Sequence, residues 1–128
     1  FPSIVKRAMS HDSNNIFKVW GSGYQMRDFI HIKDVVRGSI LISKKIKNGK
    51  AVNLSSGKYL NFINLSKKIF NILGKKNIKI IGNSTKPEGV FARGGSRSLQ
   101  NKLGFKLAIS IEQGIQMAVN YNIKNNLK

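Results

Sequence analysis

Two arginines that lie beside glycines are the residues best suited to bind an anion. Arg27 follows the turn Gly21-Ser22-Gly23, and Arg93 precedes Gly94. A guanidinium group can bind two oxygens at once, and glycine lets a ligand approach the backbone closely. Two such loops could therefore clamp a diphosphate. The pattern alone favours the plainer alternative, in which both are ordinary loop arginines.

The acids, histidines, serines and tyrosines of the chain do not form a recognisable catalytic motif. Asp28 and Asp34 are the closest pair of acids along the chain, six positions apart, and His11 and His31 lack the i, i+3 or i+4 spacing of helical metal ligands. No serine lies in a G-x-S-x-G turn, and no tyrosine is followed four positions later by lysine. We expect no catalytic residue and no metal site in this chain.

The charge is strongly positive and widely spread. The net charge is +18, from 23 basic and 5 acidic residues. The basic residues form short pairs on separate segments, such as Lys44-Lys45, Lys67-Lys68 and Lys75-Lys76, with no longer basic block and no interleaved aromatic residues. We therefore expect nonspecific binding of polyanions at low salt and no specific nucleic-acid partner.

Length and composition indicate one globular domain. The 128 residues are 41% hydrophobic, and none is cysteine. No apolar run approaches the roughly 18 residues that a membrane span needs, so we expect no membrane partner and a cytoplasmic location. The chain starts with Phe1 rather than Met, and we expect that the natural protein extends upstream.

Apolar spacing and turn residues predict alternating helices and strands, and hence an α/β or α+β domain. Asn61 is expected to cap one helix, and Ser110 with Gln113 is expected to form a capping box at the start of another. The tail 124–128 is expected to fray. Helices are predicted at 2–13, 34–46, 61–73, 98–103 and from 110 onward, strands at 16–20, 29–32, 51–54 and 78–81, and a loop at 82–96.

Four motifs, in the same order and spacing, resemble one enzyme family. The stretch from Trp20-Gly21-Ser22-Gly23 through Arg27-Asp28-Phe29-Ile30-His31 is similar to a motif of the extended short-chain dehydrogenases/reductases that act on nucleotide sugars. Lys86-Pro87-Glu88-Gly89 resembles a segment of their fucose-synthase and mannose-epimerase branches. Val52–Gly57 and the stretch from Leu103-Gly104-Phe105 to Ser110–Gly114 resemble two further motifs, so that the resemblance runs from residue 2 to about 121.

The resemblance implies a fold and a function. Residues 1–128 would be the C-terminal, substrate-binding part of an α/β enzyme of the extended short-chain dehydrogenase/reductase (Rossmann-type) class, with the N-terminal Rossmann core missing. That core would bind NAD or NADP and carry the catalytic Tyr-x-x-x-Lys pair. The intact enzyme would be an NAD(P)-dependent nucleotide-sugar epimerase, dehydratase or reductase and could form a homodimer. This chain alone would bind the substrate without turnover.

The resemblance also implies roles for single residues. Trp20 would pack near the nucleotide, and Arg27, Arg93 and Lys86 would hold the diphosphate of the nucleotide sugar. Asp34 would be structural and would cap its helix. Ser96 stands where the family usually has Asp. The alternative function is a freestanding basic module that binds nucleotides or nucleic acid without chemistry.

Overall fold

The computed structural model describes residues 1–126, in which helices and strands alternate. The helix α5 runs through residue 126, residues 127–128 lie outside the described part, and the expected fraying of the tail stays a prediction. The elements are α1 (Pro2–Met9), β1 (Phe17–Trp20), β2 (Met26–Asp28), α2 (Ile32–Lys45), β3 (Tyr59–Asn61), α3 (Phe62–Ile72), β4 (Ile80–Asn83), β5 (Ala92–Arg93), α4 (Ser98–Lys102) and α5 (Ile111–Asn126).

The strands form two small sheets, which confirms the α/β class. In one sheet β1 and β4 run parallel, with Phe17 opposite Ile80 and Trp20 opposite Asn83. In the other sheet β2 is central, antiparallel to β3 and parallel to β5. This second sheet fixes the position of Arg27, because β2 is hydrogen-bonded on both of its edges.

The core lies between the β1–β4 sheet and the helices α1, α3 and α5. Phe17 on β1 meets Phe70 on α3 edge to face, with ring centroids 4.9 Å apart. Burying an apolar side chain of this kind stabilises a fold by roughly 1.5–3 kcal/mol. Because β1 packs in this core, the backbone position of Trp20 at its exposed end is fixed. The buried apolar residues are Ile4, Val5, Ala8, Phe17, Val19, Leu65, Ile69, Phe70, Ile115 and Val119.

Two predicted helix starts are confirmed. The side chain of Asn61 accepts a hydrogen bond from the Asn64 amide at 2.7 Å and so caps α3. Ser110 and Gln113 form the expected capping box of α5, because the Gln113 amide donates to Ser110 Oγ at 3.1 Å and the Ser110 amide donates to Gln113 Oε1 at 2.8 Å. Each cap satisfies amides that the helix itself leaves unpaired.

The expected cap of α2 is wrong, although Asp34 is structural. The helix begins at Ile32, and His31 is its cap, with Nδ1 accepting a hydrogen bond from the Lys33 amide at 3.1 Å. Asp34 is fully buried instead and accepts hydrogen bonds from the amides of Ala108 and Ile109. It therefore ties α2 to the segment that precedes α5.

Two of the predicted strands are wrong. The extended piece predicted at 29–32 lies earlier, at β2, and Ile32 already belongs to α2. Residues 51–54 form no strand within the described part of the chain. The Gln100 side chain takes the place of a neighbouring strand at Ser55, because it accepts from the Ser55 amide at 2.8 Å and donates to the Ser55 carbonyl at 2.9 Å.

The predicted loop at 82–96 contains a short strand, β5, which pairs with β2. A two-residue strand has too little side-chain pattern to be recognised from sequence. None of the helices within residues 1–126 combines the length and the apolar character that crossing a bilayer requires.

Candidate functional site

A cleft of about 310 Å³ opens beside the C-terminal end of β1. Its walls come from the start of α1, from β2 and from the segment that follows β4. We call it the Arg27 cleft. The side chains that give it its chemistry are Arg7, Trp20, Gln25, Arg27, Phe62 and Glu88.

The Arg27 side chain is held in place on one side and free on the other. Its Nη1 donates to the carbonyl of Met26 at 2.7 Å and to that of Phe91 at 3.4 Å. Its guanidinium carbon lies 5.9 Å from the centre of the Phe62 ring. Within residues 1–126 no acceptor contacts Nη2. Arg27 can therefore offer donors to a ligand oxygen without first giving up a hydrogen bond of its own.

Trp20 and Arg7 complete the open face of the cleft. The Trp20 side chain is 59% exposed, which is unusual for so large an apolar group, and it ends β1 at the cleft. An exposed indole can stack against a planar ring. Arg7 comes from α1 and also lines the cleft, and its guanidinium donates to the Lys18 carbonyl and lies 4.9 Å from the centre of the Phe17 ring.

The other two predicted site residues lie outside the cleft wall. Arg93 is paired with Arg27 across β5 and β2, so the two side chains share one face of the sheet, and Arg93 is exposed. Lys86 is exposed on the segment just before Pro87, which does line the cleft. The structure thus brings Trp20 and Arg27 together and leaves Arg93 and Lys86 near the rim.

Sequence reasoning missed four cleft residues, namely Arg7, Gln25, Phe62 and Glu88. The spacing of Ser3, Ile4 and Arg7 on one face of a short helix could have indicated Arg7. Gln25 has no such signal. It is 3% exposed, its Nε2 donates to the Trp20 carbonyl at 2.9 Å, and its buried Oε1 has no partner within the described residues.

The glycine turn of this chain does not fit a nicotinamide dinucleotide. Gly21 and Gly23 have φ angles of 68° and 79°, as tight turns allow. A dinucleotide loop offers free amides to a pyrophosphate. Here the Glu88 carboxylate accepts from the Ser22 amide at 3.3 Å and from Ser22 Oγ, and Glu88 fills the space beside Gly21. Glu88 thus already occupies the Ser22 amide that a pyrophosphate would need at this turn.

Asp28, next to Arg27, holds a neighbouring loop. Burial raises the pKa of Asp28, but hydrogen bonds from Ser55, Ser56 and Gly57 outweigh it, and the pKa lies below its ordinary value. The amides of Ser56 and Gly57 donate at 2.9 and 3.3 Å. Because both Asp28 oxygens accept hydrogen bonds from this one turn, Asp28 fixes the turn to β2.

Comparison with known proteins gives one family. The family model described as "NAD dependent epimerase/dehydratase family" matches residues 1–55. A putative GDP-L-fucose synthase 2 of Arabidopsis thaliana is 25% identical over 126 residues, which are 97% of this chain and 38% of that protein. Further relatives are GDP-L-fucose synthases and epimerases or reductases of other nucleotide sugars. The chain thus spans well under half the length of these curated relatives.

Solved structures give the same fold. The UDP-glucose 4-epimerase of Thermotoga maritima with UDP-glucose matches with a TM-score of 0.79 at 20% identity, over 98% of this chain and 39% of that one. The UDP-glucuronic acid 4-epimerase of Bacillus cereus in complex with NAD matches with a TM-score of 0.74 at 21% identity, over 99% and 39%. The chain is therefore similar to nucleotide-sugar enzymes of the NAD dependent epimerase/dehydratase family, and it has the fold of a part of an extended short-chain dehydrogenase/reductase.

Proposed function

We propose that this chain is the nucleotide-sugar-binding part of an NAD(P)-dependent epimerase, dehydratase or reductase, and that the Arg27 cleft clamps the diphosphate of the substrate. The observation that carries the proposal is the Arg27 guanidinium, whose Nη1 is fixed by backbone carbonyls while Nη2 has no acceptor within residues 1–126. A donor held in this way is oriented before the ligand arrives, and so less entropy is lost on binding.

The rest of the cleft suits a nucleoside diphosphate. Arg7 lines the same cleft, and a turn of its side chain away from the Lys18 carbonyl would add a second guanidinium for the two phosphates of a diphosphate. Trp20 offers an exposed ring on which a base can stack. Arg93, opposite Arg27 in the sheet, and Lys86, next to Pro87, would add long, flexible cations beside the cleft. The work of these residues would be to bind the nucleotide and orient the sugar.

Several features support the proposal that residues 1–128 are the C-terminal part of a longer enzyme. The relatives named above are more than twice as long as this chain. The α2 helix also exposes an apolar stripe, with Ile32, Val36 and Ile40 each more than half exposed. NAD or NADP would be bound by the remaining part, since the glycine turn here does not fit it. The homodimer and the cytoplasmic location stay predictions, and we expect no turnover from this chain alone.

Calorimetric titration of the 128-residue chain with GDP-L-fucose and UDP-glucose tests the proposal. We expect binding that persists at about 150 mM salt, where exposed charges are screened beyond about 8 Å. Arg27→Gln should lose about 2–3 kcal/mol, or roughly a hundredfold in Kd, because a charge-assisted contact is lost. Trp20→Ala should weaken binding without disturbing the core, since the ring is exposed.

Lys67→Gln is the matched control, because it removes the same charge from an exposed position on α3, away from the cleft. It should change Kd by less than about twofold. If both nucleotide sugars bind only at low salt, and Arg27→Gln and Lys67→Gln weaken binding equally, the chain is instead the freestanding basic module.

A further inference from the structure

A second pocket, of about 450 Å³, lies apart from the Arg27 cleft and shares no residue with it. It is formed by the turn after residue 55, by α4 and by the segment that follows α4. Every charged residue on its wall is a cation. We call it the basic pocket, and the residues that give it its character are Ser56, Lys58, Arg97, Asn101 and Lys106.

The stem of Arg97 is packed in a fixed place. Gly57 has a φ angle of 69°, and a Cβ atom built there would come within 2.1 Å of Arg97 Cδ. The arginine stem therefore lies directly against the Gly57 backbone, in space that any other residue would fill. Such packing restricts the rotamers of Arg97, so that its guanidinium is presented at one position on the pocket wall.

Arg97 lacks a partner for its charge. Its Nε is buried and has no hydrogen-bond acceptor within the described residues. A buried donor without an acceptor costs about 1–3 kcal/mol. Because Nε is covered by protein atoms, a ligand in the pocket would meet the outer nitrogens of the guanidinium group, whose charge needs a partner.

None of the five acidic residues supplies a partner for the charge of Arg97. Among residues 1–126 the ion pairs are Arg37 with Asp34 and Lys68 with Glu112, and neither involves the basic pocket. Asp28 lies behind Ser56, but its oxygens already accept from the turn Ser55–Gly57. Of the remaining two acids, Asp12 accepts hydrogen bonds from Asn14 and Asn15. Glu88 accepts from Ser22.

Further cations surround the same space. Lys58 and Lys106 line the pocket and are exposed. Lys45 donates to the Leu103 carbonyl at 2.8 Å, and its Nζ lies near Gly104 on the pocket wall. Several cations with a neutral amide from Asn101 match the charge and the multiple oxygens of a phosphate group better than those of a single carboxylate.

We propose that the basic pocket is a second anion site, which binds a phosphate-bearing small molecule independently of the nucleotide sugar. The packed Arg97 supplies the oriented donor, and the lysines supply charge. The volume exceeds that of one phosphate ion, and so a diphosphate or a phosphorylated metabolite fits the pocket. This proposal does not depend on the function proposed for the Arg27 cleft.

Amide NMR titration of the 128-residue chain with inorganic pyrophosphate, at about 150 mM NaCl, tests this site. We expect saturable shifts at the amides of Ser56, Lys106 and the Asn101 side chain. Arg97→Gln should raise the Kd obtained from these shifts about tenfold or more. Lys106→Gln should raise this Kd by a smaller factor, and it tests the pocket without disturbing the packing of Arg97 against Gly57.

Lys102→Gln is the matched control, because Lys102 is exposed on the same helix as Asn101 and does not line the pocket. It should change Kd by less than about twofold. Equal weakening by Arg97→Gln and Lys102→Gln would overturn the proposal, as would shifts confined to the Trp20 indole and the Gln25 side chain. A single-stranded oligonucleotide that binds more tightly than pyrophosphate and displaces it from these amides would also overturn it.

Discussion

At the scale of single residues, the acids of this chain hold loops in place. Asp28 and Asp34 both accept backbone amides from distant segments. The sequence predicted that Asp34 is structural but assigned it to a helix cap, because a cap is a local contact and the backbone amides that Asp34 actually binds lie more than 70 residues away. The prediction for Arg27 came from the resemblance of its motif to the nucleotide-sugar enzymes, since its glycine neighbours alone favour an ordinary loop arginine. Gln25 has no local signal, because its burial depends on tertiary contacts.

Replacing Asp34 by Asn should destabilise the fold by about 2–3 kcal/mol, because a buried carboxylate that accepts amide hydrogen bonds and pairs with Arg37 is lost. Urea unfolding followed by circular dichroism measures this change. Asp12→Asn is the control, since Asp12 is exposed and accepts only local hydrogen bonds. Equal unfolding midpoints for the two variants would contradict the role given to Asp34.

Asp28 should make stability depend on pH in acid. Its pKa in the folded state is depressed, so it contributes stability above its ordinary pKa of about 3.9. That contribution is lost as the pH falls through the lower folded-state pKa. The difference in unfolding free energy between the natural chain and Asp28→Asn should therefore be constant above about pH 5 and shrink below about pH 4. A difference that stays constant down to pH 2 would contradict the assignment.

At the scale of elements, local signals predicted most helices and failed for strands that need a partner. The start of α3 at Asn61 and the capping box of α5 rest on side chains a few residues apart, and sequence shows such contacts directly. The strand predicted at 51–54 failed because a strand requires a neighbour, and Gln100 takes that place at Ser55. The short strand β5 exists only through its pairing with β2.

The junction of α1 and α3 depends on one lysine. Lys75 Nζ donates to the carbonyls of Ala8, Met9 and His11 at 3.1, 2.9 and 2.7 Å, where α1 ends. Lys75→Met should destabilise the chain by about 1–3 kcal/mol, because these carbonyls lose a charged donor. Thermal unfolding measures the change, and Lys76→Met, at the exposed neighbour, should leave the midpoint almost unaltered. A loss of stability as large in the Lys76 variant would refute this explanation.

At the scale of the whole molecule, the net charge of +18 affects both the stability of the fold and the binding of anions. Like charges on a compact surface repel one another, and salt screens that repulsion. The same charge attracts any anion nonspecifically. Binding at either proposed site must therefore be distinguished from this nonspecific binding. For that reason each of the binding experiments above pairs an arginine variant with a lysine variant of equal charge change.

The same repulsion predicts that salt stabilises the fold. Raising NaCl from about 10 to 200 mM should raise the Tm by several degrees, because screening weakens the repulsion between exposed lysines. A variant with Lys44, Lys67 and Lys76 all changed to Gln should show a higher Tm at low salt and a smaller response to NaCl. An unchanged response in this variant would show that the charge does not limit stability.

A crystal structure of the 128-residue chain with GDP-L-fucose bound tests the central proposal most directly. The proposal predicts that the diphosphate lies within hydrogen-bond distance of the Arg27 guanidinium, with the base against Trp20. A diphosphate found in the basic pocket beside Arg97, with the Arg27 cleft empty, would contradict the proposed function.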